Sequence, residues 1–202
     1  MGNAMKIGIM GGTFNPIHNG HLMLGASAYE KFSLDKVWFL PNGHPPHKEN
    51  EISAVDRLEM VRLAIGDDNR FLLNTYETEK TETAFSYETL ERFHIMYPDC
   101  KFYFIIGADS LFSIESWREP ARVMKACTLL AACRDDKYPA DIKDQISYLE
   151  SKYEADIRFL KSPFMDISSS DIRKMVESGT DISSYVPEKV ADYVKRNHLY
   201  QS

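Results

Sequence analysis

The chain has 202 residues, with 24 Lys and Arg against 30 Asp and Glu and a formal charge of −6, a length that suits one domain or at most two. Hydrophobic residues make up 44% and aromatic residues 12%, enough for a full core, which excludes disorder as the main state. The acidic balance argues against a protein that neutralises many nucleic-acid phosphates, because such binding runs on Lys and Arg displacing counterions.

Residues 6–10 are a short apolar, partly β-branched run stopped by Gly11-Gly12, and 21–32 carry apolar residues suited to a helix, so the chain opens as strand, glycine turn, helix. Residues 37–40 predict a second buried strand, ended by Pro41 and followed by a polar, proline-containing loop over 42–50. Ala54, Leu58, Val61 and Ile65 recur at the spacing of one helix face, with Ser53 as N-cap. Further on, strands are predicted at 71–75, 101–106, 128–132 and 156–161, and helices at 87–96, 141–153, 171–177 and 188–197. Repeated βα units with continuous apolar strands imply an α/β fold, a mostly parallel sheet with helices on both faces. No repeat, low-complexity tract or linker divides it, so 5–202 reads as a single domain, with 1–4 ahead of a second methionine as a tag or disordered start.

Cys100, Cys127 and Cys133 are odd in number and form no C-x-x-C pair, so neither a disulfide framework nor a zinc knuckle is expected, and they read as buried thiols of a reducing cytosol. No apolar run nears the roughly 20 residues that cross a bilayer, and no charged-then-apolar leader opens the chain, so a cytoplasmic protein is expected.

In a parallel sheet ligands bind beyond the carboxyl ends of the strands, so the loops after Met10, Leu40, Ile106 and Lys161 should share one site. The first is Gly-Gly-Thr-Phe-Asn-Pro-Ile-His-Asn-Gly-His over 11–21. Its glycines let backbone approach a ligand, and the following helix offers free N–H groups to an anion, so a phosphate is the expected guest. The dinucleotide and triphosphate glycine fingerprints are both absent, which disfavours a dehydrogenase or a P-loop kinase. His18 and His21, three apart at a helix start, fall on one face and could hold phosphate oxygens. An isolated H-x-x-H more often describes a cap plus a surface histidine; its place after strand and Gly-Gly-Thr reverses that preference. Catalytic zinc wants three protein ligands, and spacing fixes no third here, so no metal site is assigned. His44-Pro-Pro-His47 reads more simply as a stiff loop presenting His47 and Lys48 to an anion. At the far end, Ile-Ser-Ser-Ser-Asp-Ile-Arg over 167–173 joins a strand to a helix and offers N–H groups, hydroxyls and the Arg173 guanidinium as a second anion cradle, although it is equally an ordinary helix cap beside a solvated arginine.

The two motifs together resemble the H-x-G-H nucleotidyltransferases, and more closely the bacterial nicotinate-nucleotide adenylyltransferase family. The resemblance runs from Lys6 to about Tyr200 and includes Phe39 to Pro41, Pro45 to Lys48, Arg57 to Met60, Ser86-Tyr87, Gly107 to Asp109 and Trp117. It implies a Rossmann-like fold and transfer of the adenylyl group of ATP, with Mg²⁺, to nicotinate mononucleotide, giving deamido-NAD and pyrophosphate without a covalent enzyme intermediate. It implies that His18 and His21 contact the ATP phosphates, that Thr13 helps to hold them, that Gly11, Gly12 and Phe14 line the nucleotide, and that Ser169 and Arg173 bind the triphosphate tail. Lys48, with His47, would neutralise charge where the substrates meet, Asp109 would bind through a ribose, beside Gly107, and Trp117 would stack on the pyridine ring. The segment with Thr83, Ala84, Ser86 and Tyr87 matches the place where the family reads the nicotinate carboxylate. Phe112 is the guess for a second ring-pocket aromatic.

The plain structural alternatives are Trp117 as core, Asp109 as a cap after its strand and Ser86 as the N-cap of its helix. Rival functions are the same transfer to nicotinamide mononucleotide or phosphopantetheine, and a nucleotide-binding sensor without turnover. Nucleic-acid and membrane partners are not expected, and the oligomeric state stays open, a homo-oligomer included.

Overall fold

A computed structural model describes residues 4–43, 52–66, 68–133, 140–161 and 167–201. Its frame is six parallel strands, β1 (Met5–Gly12), β2 (Lys36–Pro41), β3 (Phe71–Leu73), β4 (Cys100–Gly107), β5 (Thr128–Cys133) and β6 (Asp156–Lys161), in the spatial order 3-2-1-4-5-6. β1 is the crossover: Ile9 pairs with Trp38 of β2 on one side and Phe104 of β4 on the other. From there the chain winds outward in both directions, and the strand ends on either side of β1 part to leave a crevice.

Side chains alternate across the sheet and fill two cores. Trp38, Leu40, Phe102 and Phe104 face one way, under α3 (Ser86–Met96), α5 (Pro120–Ala126) and α6 (Ala140–Tyr153), which contribute Leu90, Phe93, Met124 and Leu149. Val37, Phe39, Ile105 and Leu130 face the other way, under α1 (Asn19–Phe32), α2 (Ala54–Ile65), α7 (Ser169–Glu177) and α8 (Glu188–Arg196), which contribute Ala28, Met60, Ile172 and Val194. The expected α/β architecture, with helices on both faces, is the one observed. Among the described residues no helix is long and apolar enough to span a membrane.

Two elements escaped the sequence reading, α4 (Ala108–Ser113), continued by a 3-10 turn at Ile114–Ser116, and α5. Both are short and cannot persist on helix propensity alone; they are held by burial of Leu111, Ile114, Val123 and Met124 and by the paired Arg122–Glu91 contacts of 2.8 and 2.6 Å between α5 and α3. Ser53 caps α2 as expected, accepting from the Asp56 N–H at 3.1 Å. Ser86 does not cap α3; Phe85 holds the N-cap position and Ser86 is the first helical residue.

The loops at the carboxyl ends of β1 and β2 are tied by Arg57 of α2. It is 1% exposed, and its guanidinium donates to the carbonyls of Thr13 at 2.9 Å, Asn42 at 2.8 Å and Gly43 at 2.7 Å. Gly43 is packed so closely that a Cβ there would fall inside contact distance of the Glu77 carbonyl oxygen. Gly43→Ala is therefore expected to destabilise the fold by about 1–3 kcal/mol, lowering Tm by several degrees; an unchanged melting curve would show that this loop yields.

Candidate active site

The crevice at the β1 crossover is a cleft of about 820 Å³. Its floor is the carboxyl ends of β1, β2, β4 and β5, with Gly11, Gly12, Leu40, Ile106, Gly107 and Cys133 among the lining residues. Gly107 has an ordinary extended backbone, and a Cβ there would meet nothing within 4 Å. Neither conformation nor protein packing demands glycine at that point; the empty space above it belongs to the cleft.

His18 and His21 stand together on one wall, their rings 3.7 Å apart between centroids. His18 is the buried N-cap of α1, and its backbone N–H donates to His21 Nδ1 at 3.2 Å. An Nδ1 that accepts carries no proton, so neutral His21 bears its proton on Nε2 as a donor. Burial first, and the neighbouring His18 second, hold the His21 imidazole well below the usual histidine range. Charging it would also protonate the nitrogen that accepts from the helix cap.

Beside them lies the N-terminus of α7. Ser168 caps it in a reciprocal box with Asp171, whose carboxylate accepts the Ser168 N–H at 3.0 Å and is lowered by its bonds from Ser168. Ser168 and Ser169 line the cleft, and the N–H groups of Ser169 and Ser170 precede the first backbone bond of the helix, made by Ile172. This end is fastened to the first loop: Ser169 Oγ donates to the Pro16 carbonyl at 2.8 Å and Arg173 Nη1 to the Asn15 carbonyl at 2.8 Å. Tyr200 completes the lock, its hydroxyl donating to Asn15 Oδ1 at 2.6 Å. Two motifs more than 150 residues apart thus form one continuous surface of donors.

The remaining wall is α3 with the loop ahead of it. Ala84, Ser86 and Thr89 line the cleft, and the N–H groups of Ser86, Tyr87 and Glu88 precede the first bond of the helix, from Thr89 to the Phe85 carbonyl. Trp117, half-buried, stands beside Ala84 and Ser86 with its ring edge-on to Phe104, centroids 6.1 Å apart. Asp109, in the first turn of α4, lines the cleft below it.

Comparison with known proteins identifies this arrangement. A family model described as cytidylyltransferase-like matches residues 9–175. A Clostridium acetobutylicum protein named "probable nicotinate-nucleotide adenylyltransferase" is 41% identical over 96% of this chain and 98% of its own. One of the same name from Caldicellulosiruptor bescii is 40% identical over 98% of this chain and all of its own. The chain belongs to the nicotinate-nucleotide adenylyltransferase family. In fold it is similar to the Plasmodium falciparum nicotinic acid mononucleotide adenylyltransferase complexed with NaAD, with a TM-score of 0.80 at 22% identity, covering 97% of each chain.

Of the residues expected at an adenylyltransferase site, Gly11, Gly12, His18, His21, Ser169, Ala84, Ser86, Gly107, Asp109 and Trp117 line the one cleft. Several others sit elsewhere. Phe14 does not line the nucleotide space: it is 2% exposed and supports His21 from behind, edge-on at 5.1 Å, because a large ring in a tight loop gains most from burial against Phe39. Thr13 is off the wall, with its carbonyl taken by Arg57. Arg173 is likewise behind the wall; it lies one residue past the first turn of α7 and spends Nη1 on the Asn15 carbonyl. The Tyr87 ring is buried in the core beneath the Arg122 guanidinium, so only its backbone N–H belongs to the helix end. Thr83 does not line the cleft, and neither does Phe112, which is 48% exposed. His47 and Lys48 lie outside the described residues.

Among the cleft residues that the sequence reading did not assign to the site are Asn42, Glu77 and Thr89. Glu77 Oε1 accepts from Thr89 Oγ1 at 2.7 Å, and burial pushes the carboxyl up from its ordinary value. Their positions form no short motif, and the only signal was that Asn42 opens the loop after Leu40, one of the four loops expected at the site.

The state of His21 is measurable. The unfolded chain takes up a proton on this residue near pH 6.5 while the folded chain does not, so stability is expected to be full above about pH 6.5 and to decline as pH falls below it. Its ring resonances should stay unchanged by NMR between about pH 8 and pH 6; a titration midpoint near 6.5 would show a charged ring without the Nδ1 contact.

Proposed function

We propose that this chain transfers the adenylyl group of ATP to nicotinate mononucleotide, yielding deamido-NAD and pyrophosphate in NAD biosynthesis in the cytoplasm. The observation that carries the reading is the fastening of two anion cradles, the His18–His21 cap and the α7 N-terminus, into one wall of a cleft whose opposite wall offers a second helix N-terminus and Trp117. The names of full-length relatives support the choice of substrates.

A mononucleotide phosphate oxygen attacks the α-phosphorus of ATP in line. The new P–O bond forms as the bond to the bridging oxygen breaks, and pyrophosphate leaves with the electron pair. The attacking group already carries its charge, so the protein supplies position and electrostatics rather than a nucleophile. His21 Nε2–H, the His18 imidazole and the N–H groups of Ser169 and Ser170 are donors for the triphosphate. Their orientation is fixed beforehand by the α1 cap and the α7 lock, so little reorganisation is needed as charge gathers on the leaving group. Arg173 acts from behind, holding Asn15 and with it the loop, while its remaining guanidinium N–H groups add charge to the triphosphate end. Gly11, Gly12 and Gly107 leave room for the nucleotide, Asp109 accepts ribose hydroxyls, and Lys48 neutralises charge where the two phosphates meet.

Among the described residues no three His, Cys, Asp or Glu side chains converge as a metal cage. Mg²⁺ held mainly through substrate phosphates and water needs none, and we assign it as part of the MgATP substrate.

At the acceptor end the Ser86 hydroxyl and the N–H groups of Ser86 and Tyr87 are donors matched to a carboxylate. Two carboxylate oxygens accept from such donors, whereas a carboxamide turns its own N–H₂ toward one of them, which favours acid over amide. Trp117 contributes affinity for the ring without distinguishing the two.

Pyrophosphate release from MgATP, compared for nicotinate mononucleotide, nicotinamide mononucleotide and phosphopantetheine, should favour the nicotinate compound by tenfold or more, by the order of one lost charge-assisted contact. A preference for another acceptor would keep the phosphate chemistry and overturn the acceptor assignment, and no release with any of them would make the chain a nucleotide sensor. Trp117→Ala should raise KM for the mononucleotide by roughly tenfold and leave KM for ATP near its original value; an equal rise in both would remove Trp117 from the acceptor end.

A further inference from the structure

Glu77 is 8% exposed, yet it lines the substrate cleft. Its Oε1 accepts from Thr89, itself 1% exposed, and its second oxygen makes no hydrogen bond among the described residues. A largely buried carboxylate ordinarily engages its oxygens with donors, from the protein or from what enters beside it. On the same wall Asn42 Oδ1 is buried and has no partner either. The second Glu77 oxygen is not itself sealed off and keeps access to the cleft, so a donor arriving there can reach it beside the unpartnered Asn42 Oδ1.

Position decides which ligand. Thr89 follows Ser86 by one helix turn, and Ser86 adjoins Trp117, so Glu77 borders the mononucleotide end, across the cleft from the α7 cradle. Nicotinate mononucleotide is poor in donors: its carboxylate and phosphate only accept, and its two ribose hydroxyls are the groups with hydrogens to give. We infer that Glu77 is a substrate-binding residue, its free oxygen accepting a ribose hydroxyl of the mononucleotide. The inference rests on the mononucleotide reading above and adds to it the recognition of the sugar. Thr89 is the positioning residue, keeping one carboxylate oxygen occupied so that the other faces the cleft. The pairing would also leave acid-versus-amide selection to α3, because a carboxylate aimed at the ring substituent would reward the amide N–H₂ instead.

The test compares the unsubstituted protein, Glu77→Gln and Thr89→Val on nicotinate mononucleotide and on its 2′-deoxy and 3′-deoxy analogues. Glu77→Gln should raise KM for the mononucleotide about tenfold or more and leave KM for ATP within about twofold, the order expected for losing a hydrogen bond to a charged acceptor. Its Tm should hold or rise, since a neutral amide is cheaper to bury, and Thr89→Val should raise the same KM less. On the deoxy analogue that lacks the partner hydroxyl, Glu77→Gln should add less than about twofold, the non-additivity of two changes to one contact. Full additivity on both analogues, a matching rise in KM for ATP, or a switch toward the nicotinamide compound would overturn the inference while leaving adenylyl transfer intact. An unsubstituted protein that fails to use nicotinate mononucleotide would instead overturn the functional reading, and this one with it.

Discussion

The cleft depends on one buried cation. Where parallel strands end side by side and their chains part, carbonyl groups lose the partners that the ladder gave them. Arg57 gathers three such carbonyls, from Thr13, Asn42 and Gly43, onto one guanidinium. Burying a charge costs several kcal/mol after relaxation, and each charge-assisted hydrogen bond returns roughly 1.5–3 kcal/mol, so the arrangement depends on all three carbonyl contacts. A lysine, with a compact ammonium and no planar fork, could not span the loops after β1 and β2 in this way. Through Thr13 the contact anchors the loop that carries the histidine pair, and through Gly43 it fixes a chain that lies directly against the Glu77 carbonyl.

A protein of net charge −6 that is to hold several phosphates faces a repulsive field. The described walls meet this with dipoles more than with cations: two helix N-termini, an imidazole kept neutral, and hydroxyls. Neutral donors attract oxyanions at close range and add little long-range attraction. The same economy explains the placement of Arg173, whose charge reaches the cleft from behind a backbone carbonyl.

What the sequence made legible was local or periodic. The strand, glycine turn and helix at 5–32 could be read because each step is decided by neighbouring residues, and the six strands could be read from their continuous apolar runs. The short α4 and α5 were not legible, because their stability comes from Leu111, Val123 and Met124 meeting partners far along the chain. Within the motifs, residue type alone misplaced the aromatics: Phe14 and Tyr87 sit in the right segments, and burial of their rings outweighs display in the cleft. Glu77 was invisible for the complementary reason. Its meaning lies in Thr89 and in the loop after β2, and no spacing announces that convergence.

The hydroxyl of Tyr200 on Asn15 gives the molecule a temporal order as well as a shape. The first βα loop is synthesised before the residues that hold it in place, because Ser169, Arg173 and Tyr200 follow it by more than 150 residues. At ordinary elongation rates of about 5–20 residues per second, the loop waits roughly ten seconds or longer before its last tether exists. In that interval the nascent chain can pair its strands and bury the core under α3, α5 and α6, while the second core and the phosphate-gripping surface both await α7 and α8. Ligand recognition is thus a property that this polypeptide acquires only once residues 169–200 have been made.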